Sequence, residues 1–61
     1  MDGVELKKIR LELKFTQEEL AKELKVATNT VARWERNERS IPGYLPLALE
    51  MLQKKLTDNN N

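Results

Sequence analysis

Thr16-Gln17-Glu18-Glu19-Leu20-Ala21, then Leu24-Lys25-Val26-Ala27-Thr28-Asn29-Thr30-Val31-Ala32-Arg33-Trp34-Glu35, is the stretch that decides the fold. Thr16 and Glu19 have the spacing of a capping box, in which the hydroxyl accepts the Glu19 amide and the carboxylate accepts the Thr16 amide. Leu20, Ala21 and Leu24 follow at helical spacing and predict a short helix from about Gln17 to Leu24. Val26 reads as the apolar residue of a tight turn. A further helix begins near Ala27 or Thr28, with Val31 and Trp34 as its inward stripe. It ends around Arg36, because Asn37 is one of the few non-glycine residues that tolerates a left-handed C-terminal position. The outward face of this helix starts with Thr28 and Asn29 and carries Arg33 a turn later. Hydrogen-bonding side chains placed in this way are what the reading of base edges in a DNA major groove requires.

Working outward, Leu6, Ile9 and Leu13 recur at helical spacing with Arg10 bordering the same face, so residues 3–13 read as a first helix. Phe15, just before the cap, is placed to staple onto Leu20 or its neighbours. Downstream, residues 37–43 read as a loop punctuated by Pro42 and Gly43. Pro46 fits the first turn of a fourth helix, where a missing amide costs nothing. Leu45, Ala48, Leu49, Leu52 and Leu56 form its expected inward stripe, with Leu47 and Met51 on the opposite side. The expectation is an all-α fold, a compact bundle of about four short helices containing a helix-turn-helix. One domain spans residues 1–61, with its core over about 4–56 and a frayed tail from Thr57 to Asn61.

Composition narrows the function. A chain of 61 residues sits near the lower limit for folding alone, so its core must be economical. It has no cysteine and no histidine, which excludes disulfides and the usual thiolate or imidazole metal sites. Neither a metal nor a cofactor is expected. Absent cysteine fits a reducing cytoplasm. No apolar run approaches the roughly 20 residues of a membrane span, and Met1-Asp2-Gly3 lacks the layout of a signal peptide. The expected location is the cytoplasm, at the nucleoid when DNA is bound. Net charge is only +1, from 11 basic and 10 acidic residues, a weak argument for nucleic acid by itself. Its distribution says more: Arg33, Arg36 and Arg39 fall close together, while Glu18, Glu19 and Glu23 crowd the preceding helix. An enzyme is not expected, since there is no phosphate-cradling Gly-rich loop and the carboxylates lie on helix surfaces among lysines.

With these residues in place, the chain resembles the helix-turn-helix domain of phage repressors and Cro proteins, the Xre-like family of bacterial regulators. The family pattern runs from an arginine through Thr-Gln-x-x-Leu-Ala, a small-residue turn, a Thr-(Ile/Val) pair and Trp-Glu to a later proline. This chain has Arg10, Thr16-Gln17, Leu20-Ala21, Val26, Thr30-Val31, Trp34-Glu35, Arg39 and Pro42 in that order, and the resemblance covers roughly residues 4–52. It implies double-stranded DNA as partner. Gln17, at the amino end of the second helix, would hold a phosphate with its side chain or its backbone amide. Thr28 and Asn29 would face base edges, Asn29 being suited to adenine, and Arg33 would grip a guanine or reach a phosphate. Arg36, Asn37 and Arg39, with the amides of Gly43 and Tyr44, would contact the opposite backbone. Arg10 would pair with Glu35, tying the first helix to the end of the third.

The sequence departs from the pattern in four places. Lys14 and Lys25 stand where the family often has glycine, at helix C-terminal turns, and Asn37 replaces another common glycine. Ala27 stands where a serine or threonine often caps the recognition helix. Two alternatives stay open. Thr28 is able to replace Ala27 as the cap, which would take its hydroxyl off DNA. The bundle as a whole is able to serve as a protein-interaction module, such as an antitoxin-like component, with Leu11, Leu47 and Met51 as anchors. Homodimerisation on DNA through the fourth helix or the adjoining tail is equally open.

Overall fold

The computed structural model describes residues 1–58, and every regular element among them is helical. Asp2 starts α1 (Gly3–Glu12) by accepting the Glu5 amide at 2.9 Å. The capping box at Thr16 is complete: its hydroxyl accepts the Glu19 amide at 3.1 Å and the Glu19 carboxylate accepts the Thr16 amide at 2.9 Å. It opens α2 (Gln17–Leu24). The next helix, α3 (Thr28–Glu35), starts at Ala27 with no side-chain cap, so Thr28 does not take over that role. α4 (Leu45–Asp58) carries Pro46 in its first turn, where no intrahelical amide is lost.

The first three helices end in the same way. Lys14, Lys25 and Asn37 are left-handed, with φ of 62°, 59° and 60°. In each case the following amide reaches back five residues: Phe15 to Arg10 O, Val26 to Ala21 O, and Glu38 to Arg33 O, at 2.9–3.1 Å. The left-handed residue itself donates three residues back, which completes a Schellman motif. The two lysines therefore keep the glycine-like conformation, at a cost of about 1–2 kcal/mol each. Asn37 tolerates it better, because a short polar side chain can bond locally.

Leu6, Leu20, Ala21, Val31, Trp34, Leu45 and Leu49 form one buried core, with Ile9, Phe15, Leu24, Val26, Ile41, Ala48 and Leu52 packed around it. α3 lies against both α1 and α2. The indole N–H of Trp34 is buried without a hydrogen-bond partner, a cost of about 1–3 kcal/mol set against the area its ring buries. One expectation for α4 needs correcting. Leu56 continues the inward stripe in sequence but is 38% exposed. Its neighbours Gln53, Lys54 and Lys55 are exposed as well. The helix outruns the three-helix body, so an inward direction there finds too little among the described residues to bury the side chain fully. α4 continues through Thr57 and Asp58, while Asn59 to Asn61 of the expected tail lie outside the described residues.

Candidate nucleic-acid interface

The helical period places the exposed side chains of α3. Val31 and Trp34 face the core, so Thr28, Asn29 and Arg33 fall on the opposite arc, and all three are exposed. Ala32 lies on the same arc and adds no more than a methyl group, which lets a ligand come close to the helix. Among the described residues, none of the three candidate base-reading side chains makes an ion pair or a hydrogen bond. Arg36 follows on this arc but pairs with Glu38 at 3.2 Å, both side chains being more than half exposed. A pair so exposed is worth less than about 1 kcal/mol, so it leaves Arg36 open to exchange for another anion at little cost.

A buried network sets the angle between the helices. Arg10 grips Glu35 with two bonds, Nε to Oε2 at 2.6 Å and Nη2 to Oε1 at 3.2 Å. The two side chains are 9% and 5% exposed. Arg10 Nη1 also donates to the Phe15 carbonyl at 2.8 Å, tying in the α1–α2 turn. Gln17 joins from the amino end of α2, its Nε2 donating to Glu35 Oε1 at 3.0 Å. One carboxylate thus links α1, α2 and the end of α3. The backbone amides of Gln17 and Glu18, first in their helix, have no carbonyl within it to meet and lie at the positive end of its dipole.

The helix-turn-helix family model matches residues 6–44, more than half of the chain. The chain belongs to the Xre, Cro and lambda-repressor-like helix-turn-helix family. No curated protein and no solved structure matches it. Within this helix-turn-helix domain α2 and α3 are the two helices of the motif, and Lys25 to Ala27 form its turn. The family is a DNA-binding regulatory one. No helix among the described residues is long and apolar enough to cross a membrane.

The remaining candidates fall in three places. Asn37 and Arg39 line a polar cleft of about 420 Å³ with Met1, Asp2, Glu38 and Ser40. There the Asn37 Oδ1 accepts the Gly3 amide at 2.8 Å, so this side chain fastens the loop to the start of α1. Gly43 is exposed, with open space where a Cβ would stand. Tyr44 belongs instead to an apolar groove of about 440 Å³ between α2 and α4, lined also by Leu24, Val26, Trp34, Met51 and Leu52. Sequence reasoning foresaw the Arg10–Glu35 pair but missed the Gln17 bond to it. It also missed Glu38 as a partner of Arg36, although their spacing of two residues in a loop was a usable signal.

Proposed function

We propose that the chain is a sequence-specific double-stranded DNA-binding regulator of a prokaryote or phage. α3 enters the major groove, α2 crosses the backbone, and the segment from Arg36 to Tyr44 meets phosphates. The observation that carries this reading is the unpartnered outer arc of α3. Thr28, Asn29 and Arg33 are polar, exposed and unused within the chain, on a helix held at a fixed angle by the Arg10–Glu35–Gln17 network. Side chains without an internal structural task, on a rigid element, are suited to recognition. Two copies would read half-sites about one helical turn apart, giving a near-palindromic operator. Binding there would regulate transcription, by occluding or by recruiting RNA polymerase, in the cytoplasm at the nucleoid.

Selection of bound duplexes from a random pool at near-physiological salt tests this, with Arg33→Ala run in parallel. The expected result is an enriched, roughly palindromic motif that loses preference at one position in the variant, with a cost of about 1–3 kcal/mol. A loss that falls equally on all sequences would make Arg33 a phosphate contact. Absence of enrichment would leave the fold standing and favour a protein partner held through the exposed Leu11, Leu47 and Met51.

A further inference from the structure

We propose that Glu35 is a positioning residue for the DNA backbone, acting through Gln17; the proposal rests on the DNA-binding reading above. A carboxamide nitrogen carries two hydrogens. In the free protein one of them is directed at Glu35 Oε1, 3.0 Å away. The other is available to an acceptor, and phosphate oxygens only accept. Gln17 is half-buried, so it spans the distance from the buried ion pair to the protein surface.

Three features make this arrangement suited to holding a phosphate. Glu35 is itself fixed, since Arg10 grips both of its oxygens. Arg10 also offsets the Glu35 charge, so a carboxylate this close does not repel the incoming phosphate as a lone one would. Finally, a glutamine free in solvent loses its rotamer freedom when it binds, whereas Gln17 has already lost it on folding. Without Glu35, Gln17 is an ordinary first-turn glutamine. With Glu35, it is a pre-aimed donor beside the free amides of the α2 amino end.

A double-mutant cycle tests the proposal, using a duplex recovered in the selection above. Gln17→Met is made in the native chain and in an Arg10→Met, Glu35→Leu background, where the pair is removed together so that no buried charge is left alone. Thermal unfolding shows which variants are folded. In the native background Gln17→Met should weaken binding to every sequence alike, by about tenfold. In the altered background the same change should cost less than about twofold. Equal losses in both backgrounds, or none in either, would overturn the positioning role and leave DNA binding intact. Failure of the native chain to bind any duplex would sink the DNA reading itself. Should the altered background not fold, proton exchange at Gln17 Nε2 in the native chain decides. One slow proton in the free protein, joined by a second on duplex addition, is the expected pattern. Two fast protons in the free protein, or no change with DNA, would overturn it.

Discussion

Gly3 has no side chain, and α3 leaves no room for one. A Cβ there would lie 2.6 Å from the Trp34 carbonyl oxygen and the Glu35 carbonyl carbon, and closer still to the Glu35 oxygen. Those are backbone atoms at the end of a packed helix, and Gly3 is also fastened by the Asn37 bond. Helix propensity alone makes Gly3→Ala a gain of up to about 1 kcal/mol. The close contact reverses the sign, and the expected result is a loss of about 1–3 kcal/mol. In a domain of this size that lowers Tm by about 4–8 °C per kcal/mol. An unchanged or raised Tm would mean that α1 shifts away freely and that the contact does not constrain it. The constraint was not legible in the sequence, because the atoms that fill the space arrive more than thirty residues later. Asn37 was half legible: its left-handed backbone follows from its type, but its Oδ1 partner does not. The same holds for Gln17, whose position in the first turn of α2 was plain while its bond to Glu35 joins residues 18 apart in sequence.

At the scale of elements, local chemistry was sufficient. The capping box and the 3.6-residue period put the ends of α1, α2 and α3 to within about a residue of the expectation, while the Asp2 cap emerged only in the structure. Leu56 shows the limit, because periodicity gives a direction and not what lies in it. α3 is the element with the weakest start. Ala27 has the extended backbone of an N-cap, with φ −70° and ψ 146°. Its carbonyl accepts the Thr30 amide at 2.9 Å, but it has no side-chain oxygen to offer the amides of Thr28 and Asn29. Ala27→Ser supplies one without altering the backbone and should stabilise the protein by about 1 kcal/mol, read as a rise in the urea midpoint at constant m. No rise would show that these amides are already satisfied by water. The exposure of the candidate residues on α3 was legible for the same local reason, since the arc left over by Val31 and Trp34 is fixed by the period. Arg36 was not fully legible, because its Glu38 partner depends on the geometry of the loop.

For the whole molecule, the uneven distribution of apolar surface around α4 is the feature still to be explained. Leu45 and Leu49 are buried, Pro46, Glu50, Gln53 and Lys54 are exposed on one flank, and Tyr44, Ala48 and Met51 line the groove on the other. Leu47 and Met51 are 61% and 64% exposed, so the apolar arc extends past the core and onto the surface. A two-fold pairing of copies through this flank buries the same strip twice, which is the economical way for a small domain to add interface. It would also give each half of the proposed palindromic site its own α3. Leu47→Glu combined with Met51→Glu should leave the monomer's stability within about 0.5 kcal/mol, since neither residue is in the core. Affinity for an isolated half-site should hold, while joint occupancy of the two halves is lost. Sedimentation with full-site and half-site duplexes separates these outcomes. If the variant still places two copies on the full site as readily as the native chain, the strip is not the seam, and any pairing must come through another surface or through the DNA alone.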